Sequence, residues 1–344
     1  MQKYRNSNIE LLRIICMLMI LVQHADFWAL GQPQEHTLRA YGACVIEAAS
    51  IIAVNVFVLI SGYFGIKFKG IKILNLLFQC FFAVIPLSIV FLIWNYNRVI
   101  SDYSFYELFQ PFRYWFVSAY IGLIIISPVL NLVIERFEKK ELVILILLVS
   151  IAAFIFDTLL REDMGFAFYG GYSTLWMANL YLIGRFIRLY PLNKISTKMA
   201  VSLFFCYIVV QGTLLFFHLI GTRYTNPLLL VASIAFFLIF IRLKFSNKRV
   251  NWIASSALMV YLFSMHPVVI GIYGECLHDF CISYTMPLFL LLTIILISAI
   301  FVVAIFYDKV RMMVWRWVEP MCNKLVRIVY TQIEKFYFYI EKIC

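Results

Sequence analysis

The first apolar stretch of the chain, residues 9–28 (IELLRIICMLMILVQHADFW), carries three ionisable side chains, Glu10, Arg13 and His24. In a helix that turns 100° per residue, eleven positions bring His24 back to within about 20° of Arg13, and Glu10 lies about 40° from His24 on the other side. All three side chains are therefore predicted to share one helix face. A charged group near the centre of a membrane helix costs roughly 2.5–3.5 kcal/mol on insertion scales, so this face is expected to point towards a protein interior or a water-filled cavity.

Each of these side chains has a structural and a chemical interpretation. Glu10 and Arg13 lie within about two turns of the predicted inner end of the helix, where they could form an i,i+3 ion pair or extend to the interface. His24 lies about 24 Å along the axis from Asn8, in the outer half of the membrane, where a single histidine often serves as a hydrogen-bonded packing residue. The alignment of His24 with Arg13 on one helix face makes a functional role equally open. The spacing leaves both interpretations open.

The composition predicts an all-α, polytopic membrane protein. The chain of 344 residues is 64% hydrophobic and only 14% charged, with a mean hydropathy of +0.91, far from the values of soluble globular proteins. About 20 apolar residues are needed for a helix to cross a hydrocarbon core roughly 30 Å thick. Ten runs of about this length are present, at 9–30, 43–62, 73–94, 114–134, 141–160, 172–190, 199–220, 227–245, 254–273 and 286–307.

The distribution of lysine and arginine predicts that both termini are cytoplasmic. With the N-terminus inside, all but five of the 29 basic residues fall in the inner segments, which include 67–72, 136–140 and 242–249, as the positive-inside rule requires. The net charge of +11 is then a topology signal, and nucleic-acid binding is not needed to explain it. The longest predicted outer segments are 31–42, 95–113 and 161–171.

Two domains follow from this pattern, a transmembrane domain over residues 1–308 and a tail over residues 309–344. The tail mixes Lys and Arg with Trp, Tyr and Phe, which predicts a helix, or two helices broken near Pro320, lying in the inner interface. The eight cysteines show no spacing typical of a metal site. Cys276 and Cys281 share a predicted outer loop (GECLHDFC), where a disulfide depends on a geometry that the sequence does not settle.

Other residues near the spans are weaker candidates for lining a cavity. They are Glu47, Asn55, Trp115, Tyr120, Arg185 and His266. Trp115 equally suits the aromatic belt at a membrane interface. Pro267 follows His266 and cannot donate a helical hydrogen bond, so the backbone is expected to open there.

Several segments resemble acyltransferase family 3, the family of O-antigen and capsule O-acetylases. The first helix is the most specific, because RNSNIELLRIICMLMILVQH matches the family's Arg and His eleven residues apart at Arg13 and His24. The other matching segments are VFVLISGYFG (56–65), YWFVSAYIGLIIISPVLN (114–131), YLIGRFIRLY (181–190) and VYLFSMHPVVI (260–270). Ten spans with both ends inside also fit the family.

The resemblance implies transfer of an acyl group, usually acetyl, from cytoplasmic acyl-CoA to a sugar hydroxyl of a cell-surface polysaccharide or its lipid-linked precursor. His24 would be the family's essential histidine and Arg13 its paired arginine, with Glu10 beside them. His24 could act as the base or as a residue that is itself acylated. Acyl-CoA is then a substrate, and no bound cofactor or metal is implied. The implied location is the cytoplasmic membrane.

The donor phosphates require cations, and the first predicted inner loop (KFKGIK) carries Lys67, Lys69 and Lys72. Many family members have Arg-x-x-Arg in this loop, whereas this chain has Lys69-Gly-Ile-Lys72. Lysine attracts phosphate as a point charge without the bidentate fork of arginine, and these lysines could equally be topology signals. An alternative function is a carrier for a glycan precursor or an anionic metabolite, although the two halves show no matching pair of Gly/Pro-interrupted spans. The acceptor, the acyl chain and the oligomeric state are not readable from the sequence.

Overall fold

The computed structural model describes residues 7–30, 37–160 and 167–341, and these residues contain helices and no strand. The predicted all-α fold class is therefore confirmed. Residues 1–6, with the predicted inner cations Lys3 and Arg5, and residues 161–166 of one predicted outer segment lie outside the described residues. The helices are α1 (Asn8–Leu30), α2 (Leu38–Ser50), α3 (Ala53–Phe64), α4 (Gly70–Trp94), α5 (Tyr96–Asp102), α6 (Phe105–Phe109), α7 (Trp115–Arg136), α8 (Lys139–Ala152, followed by a π-helical turn Ala153–Leu159), α9 (Thr174–Leu189), α10 (Thr197–Phe216), α11 (Pro227–Ile241), α12 (Lys248–Ala254), α13 (Ala257–Ser264), α14 (Pro267–Ser283) and α15 (Met286–Glu341).

Among the described residues, seven helices are long and apolar enough to cross a membrane, and the count rises to eight if a bent pair forms one span. The seven are α1, α2 with α3, α4, α7, α8 with its π turn, α10 and α15. Helices α9 and α11 have 16 and 15 residues, about 24 and 23 Å at 1.5 Å per residue, so each falls short of the core thickness. A multi-pass membrane protein is established, whereas ten full spans and the orientation stay predictions.

The predicted span 254–273 falls in a bent pair of helices, because the chain turns there by 80° between residues 248–264 and 267–283. The backbone of His266 is not helical, with ψ 134°. Pro267 then begins α14 at its first position, where an N–H would have no partner within the helix and its absence loses no hydrogen bond. The expectation that Pro267 opens the backbone is confirmed. The predicted outer segment 31–42 is also too long, since α2 already begins at Leu38 with the Thr37 hydroxyl as its N-cap.

Helix α1 is the central element, in contact with α2, α3 and every helix from α11 to α15. Its N-terminal end is fixed by Ser7, whose N–H donates to the Phe245 carbonyl at 2.8 Å, and by the Asn8 amide, which donates to the Phe240 carbonyl at 2.9 Å. Further along the helix, the Tyr273 hydroxyl donates to the Leu21 carbonyl at 2.9 Å. The helix is thus anchored just before Glu10 and again between Arg13 and His24.

Helices α3 and α9 pack backbone to backbone, because each has a glycine at the crossing. A β-carbon on Gly62 would lie 2.2 Å from the Tyr181 carbonyl oxygen, and one on Gly184 would lie 2.3 Å from the Leu59 carbonyl oxygen. Small residues that allow such close approach are typical of helix pairs in membranes. This contact explains the glycines in the ISGYFG and YLIGRF segments physically.

Replacing Gly62 by alanine is expected to destabilise the protein by at least the 1–3 kcal/mol or so typical of overpacking, because the clash is with backbone that cannot rotate away. Thermal unfolding of the purified protein, together with its level in the membrane, measures the effect. Gly42→Ala is the matched control, since a β-carbon there meets nothing within 4 Å, and it should unfold at or slightly above the wild-type temperature. Equal stability of the two variants would contradict the proposed crossing.

The tail continues the last span without a break, since α15 is one helix of 56 residues with Pro320 inside it. The predicted alternative of two helices broken near Pro320 is wrong. An ion pair of 2.6 Å joins Asp308 to Arg311, and the Arg311 guanidinium also donates to the Asn75 side chain of α4 at 3.1 Å. These buried contacts hold α15 against α4 where the span passes into the tail. The tail's position relative to the membrane surface stays a prediction.

The segment with Cys276 and Cys281 is helical and is no loop, because both residues lie in α14. Both thiols are free. Five positions along a helix place the two side chains about 140° apart, so they cannot reach disulfide geometry without unwinding. The Cys281 sulfur instead accepts a hydrogen bond from the Arg39 guanidinium of α2.

Candidate active site

A central cavity of about 400 Å³ lies against the inward face of α1. Helix α1 supplies Glu10, Arg13, Met17, Ile20, Gln23 and His24 to its wall. The rest of the wall consists of Val54, Phe57, Ile60 and Ser61 of α3, Gln79 of α4, Trp115, Phe116 and Tyr120 of α7, Tyr224, and Ala254, Ser255, Ala257, Leu258 and Tyr261 of the bent span. The shared face predicted for the three ionisable residues therefore does face a cavity. Their chemical roles stay predictions.

Glu10 and Arg13 form the i,i+3 ion pair that the spacing allows. The Arg13 Nη1 lies 3.2 Å from Oε2 and 3.3 Å from Oε1 of Glu10, with the Glu10 side chain 6% exposed and that of Arg13 29% exposed. The structural interpretation of this pair, an ion pair within the helix, is thus compatible with the chemical one, because the same ion pair also lines the cavity. Arg13 uses Nη1 for this pair, and a guanidinium has further N–H donors that can meet a ligand.

His24 lies far from this ion pair along the cavity. Eleven residues at 1.5 Å each separate Arg13 and His24 by about 16 Å along the helix axis, beyond any direct contact. Arg13 therefore cannot orient the imidazole, and the two residues must act on different parts of whatever occupies the cavity. The cavity is an elongated site with an ion pair near the start of α1 and a histidine about 16 Å further along the helix.

The wall opposite α1 is aromatic near the start of α7. The Trp115 ring lies 5.7 Å from the ring centroid of Tyr224 and 4.5 Å from that of Tyr172, the latter edge to face. Tyr172 and Tyr224 are themselves 5.0 Å apart in an edge-to-face pair. Such clusters present both flat apolar faces and hydroxyl groups, which suits a ligand with apolar and polar surfaces.

The loop that carries Tyr224 is held by a buried carboxylate of the π turn. Asp157 accepts hydrogen bonds from the Gly170 N–H at 2.8 Å and from Arg223 Nη1 at 2.6 Å, and it also accepts from the Thr225 hydroxyl. The π turn widens the helix and is the sort of irregularity found at functional sites. Asp157 thus ties the segments on either side of Tyr224 to the end of α8.

Ser61 and Tyr120 form a polar pair on the cavity wall, with their hydroxyl oxygens 3.1 Å apart. Ser61 donates to the Phe57 carbonyl at 3.2 Å, so the Tyr120 hydroxyl donates to Ser61. Tyr120 was expected to line a cavity, and it does so together with Trp115. Ser61 comes directly before Gly62, so the tight α3–α9 crossing fixes where its hydroxyl lies.

Four of the weaker predictions are not among the residues that line the central cavity, and two of them support its wall from behind. The Asn55 amide donates to the Tyr224 carbonyl at 3.0 Å and accepts from the Trp176 indole at 3.2 Å. Glu47 is buried and accepts from the Gln23 amide at 3.3 Å. Both residues position cavity-lining neighbours and do not face the cavity themselves.

Arg185 and His266 lie further away. The Arg185 guanidinium packs beside Gly65, where a β-carbon would be 3.5 Å from its Nη1. His266 is fully buried, with Nε2 3.0 Å from the Ser88 hydroxyl, which itself donates to the Leu108 carbonyl at 2.5 Å. This contact joins α4 and α6 to the bend before α14. Because the Ser88 proton is directed to a carbonyl, the pair is a structural contact and no activated nucleophile.

The predicted donor lysines Lys67, Lys69 and Lys72 are exposed, and none of them lines the central cavity. Their loop is held just before Lys67, where the Ile66 N–H donates to the Tyr181 hydroxyl at 3.0 Å and the Ile66 carbonyl accepts from Asn131 at 3.0 Å. A donor-binding role for the lysines stays a prediction.

Six polar cavity residues were missed by sequence reasoning: Gln23, Ser61, Gln79, Tyr224, Ser255 and Tyr261. Gln23 and Gln79 are polar residues inside apolar runs, a signal that could have identified them. Tyr224 lies between helices, and only the tertiary contacts of its loop bring it to the cavity.

Comparison with known protein families decides the assignment. The family described as "Acyltransferase domain", acyltransferase family 3, matches residues 6–308. The chain belongs to acyltransferase family 3. The family match covers every residue that lines the central cavity, and it ends at Asp308, before most of the long extension of α15. No curated protein and no solved structure matches the chain significantly. The protein is accordingly a membrane acyltransferase, as the resemblance of its first helix predicted.

Proposed function

We propose that the protein transfers an acetyl group from cytoplasmic acyl-CoA to a hydroxyl of a cell-surface polysaccharide or of its lipid-linked precursor, in the cytoplasmic membrane. The observation that carries this proposal is the central cavity itself, which has the Glu10–Arg13 ion pair at one end and His24 about 16 Å further along α1. A donor bound by its charged end near Arg13 can present its thioester to His24.

The length of the donor supports this arrangement. The pantetheine arm of CoA has about as many backbone bonds as four residues, so it reaches roughly 14 Å when extended. That reach is close to the axial separation of Arg13 and His24, about 16 Å. The apolar wall of the cavity between them, formed by residues such as Met17 and Ile20, suits the methylene and methyl groups of this arm.

His24 supplies the chemistry in either of two balanced routes. As a general base, its neutral imidazole takes the hydroxyl proton as the oxygen attacks the thioester carbonyl. The C–S bond then breaks, and the imidazolium gives this proton to the CoA thiolate. As a relay, the imidazole nitrogen attacks the thioester carbonyl, and the C–S bond breaks to release the CoA thiolate. The sugar hydroxyl then attacks the acylimidazolium, the C–N bond breaks to restore the imidazole, and the hydroxyl proton goes to the thiolate. Both routes need His24 to line the cavity, as it does.

The aromatic wall supports a carbohydrate acceptor. A pyranose ring has an apolar face of C–H groups and an equatorial rim of hydroxyls, so it packs on aromatic rings while its rim bonds to polar groups. Trp115, Tyr120 and Tyr224 offer rings and hydroxyls on the cavity wall. A glycan carrier could use the same wall, and it is the family membership that favours an enzyme over the carrier alternative.

The proposal is tested by comparing the acetyl content of the surface glycan in cells with and without the protein, and by following acetyl-CoA consumption with the purified protein and glycan. We expect glycan of normal amount that lacks the acetyl group when the protein is absent. Glycan that is fully acetylated but reduced in amount at the surface would instead indicate a carrier.

A further inference from the structure

A second cavity of about 480 Å³, here called the vestibule, adjoins the central cavity. Its wall consists of Asn8, Ile9, Glu10, Arg13, Tyr63, Phe64, Arg188 and Ile241. Glu10 and Arg13 line both cavities, so this ion pair stands between them. A molecule that spans both cavities must pass the guanidinium of Arg13.

The vestibule lies where several helices begin or end on the same side. Asn8 begins α1, Phe64 ends α3 and Ile241 ends α11, while Arg188 is in the last turn of α9. The segments that follow α9 and α11 carry Lys194, Lys198, Arg242 and Lys244, and the positive-inside rule assigns such segments to the cytoplasm. The vestibule is thus the predicted cytoplasmic entrance to the central cavity.

Arg188 brings an uncompensated positive charge to this entrance. Its Nη1 donates to the Tyr63 hydroxyl at 3.1 Å, and the guanidinium lies over the Tyr63 ring with the carbon 5.0 Å from the ring centroid. Within the part of the chain that the structure describes, Arg188 makes no ion pair, whereas Arg13 is paired with Glu10. Stacking on Tyr63 limits the rotamers of Arg188 and leaves most of its donors available.

We propose that Arg188, held by Tyr63 and assisted by Arg13, binds the phosphate groups of the acyl donor at the vestibule. This inference rests on the proposed use of acyl-CoA. Two guanidinium groups on one cavity wall suit a pyrophosphate, because each can donate in parallel to two oxygens. The phosphates then lie between Arg188 and Arg13, and the pantetheine arm extends from Arg13 towards His24.

This site differs from the lysine loop predicted from the sequence. Lys67, Lys69 and Lys72 are exposed and line neither cavity, whereas Arg188, which is also exposed, stacks on Tyr63 and lines the vestibule. Solvated lysines attract phosphate over a longer range and raise its local concentration, and salt screens this effect within about 10 Å at 0.1 M. Arg188 instead holds the donor by direct contact, so the two sets of cations predict different consequences of substitution.

Calorimetry on the full-length protein in nanodiscs tests the proposal. It compares the affinity for coenzyme A with the affinity for pantetheine, which lacks the phosphates. For Arg188→Gln we expect coenzyme A affinity to fall roughly 10- to 100-fold, the range of one or two charge-assisted hydrogen bonds, with pantetheine affinity unchanged. Arg188→Lys should lie in between, because it keeps the charge but loses the fork. Tyr63→Phe, which keeps the ring, should cause a smaller loss. Lys198→Gln, an exposed cation after α9, is the matched control and should bind as the wild type does.

The outcomes separate this site from the proposed function. If Arg188→Gln is well folded by size-exclusion chromatography and binds coenzyme A as the wild type does, the proposed phosphate site in the vestibule is wrong. The proposal that acyl-CoA is the donor is then unaffected. A loss confined to Lys69→Gln/Lys72→Gln would assign the phosphates to the loop and would likewise overturn the proposal. If the wild type binds coenzyme A no better than pantetheine, phosphate recognition is absent altogether, and if it binds neither, the proposed donor fails as well.

Discussion

Replacing His24 by alanine is expected to abolish acyl transfer while the protein still folds and inserts. Positioned general acid–base catalysis contributes roughly 10²- to 10⁴-fold to a rate, and an acyl relay that loses its nucleophile loses that route entirely. His24 lines the cavity and is only half-buried, so alanine removes a ring from the cavity wall and leaves no large void in a packed core. The effect should therefore appear in the rate of transfer and only weakly in stability.

The measurement is acetyl transfer to glycan per mole of protein, with the protein level determined in the same membranes. His278→Ala is the matched control, because it is the same substitution at an exposed position of α14, away from the cavity. We expect normal transfer from it. A well-expressed His24→Ala protein with full transfer would show that the polar face of α1 serves packing alone.

The polar face of α1 could be predicted from the sequence because it depends only on helical periodicity. Arg13 and His24 align in any regular helix, and the cost of charge in lipid turns that face inwards. Asn55 and His266 carry the same kinds of groups within apolar runs, yet one supports the cavity from behind and the other joins α4 to the bend before α14. Which buried polar group faces a cavity is decided by tertiary neighbours that periodicity does not contain.

The bend of the penultimate span illustrates the same limit for the fold. Pro267 indicates where the helical hydrogen bonds must stop, but the bend of 80° follows from the packing of α13 and α14 against α1 and α15. In the tail, Pro320 predicts a break that does not occur. A single proline removes one hydrogen bond and adds a steric clash, about 3 kcal/mol in a helix interior, which a helix of this length absorbs.

The sequence also does not show which of the cations lines a cavity. Counting Lys and Arg by loop predicts an inner side but treats Lys69 and Arg188 alike. Only the structure separates an exposed loop cation from one that stacks on Tyr63 at the wall of a cavity.

Replacing Arg13 by glutamine should cause the second large loss of activity, accompanied by a loss of stability. Arg13 stands between the two cavities and pairs with the largely buried Glu10. Removing one partner of a buried hydrogen-bonded charge costs about 1–3 kcal/mol, and the partial exposure of Arg13 places the cost towards the lower end. The activity loss from this variant alone would therefore be ambiguous, since a lower amount of folded protein also lowers transfer.

The double variant Glu10→Gln/Arg13→Gln separates the two effects. Replacing both partners by neutral amides removes the ion pair as a whole instead of one half of it, so protein level and thermal stability should return towards those of the wild type. Acyl transfer should not return, because the cation that meets the donor between vestibule and cavity is still missing. If transfer recovers together with stability, the ion pair is a structural element of α1, and donor recognition must depend on other cations. If stability recovers and transfer stays low, Arg13 acts on the donor itself, and the loss should appear in the dependence of the rate on acyl-CoA concentration.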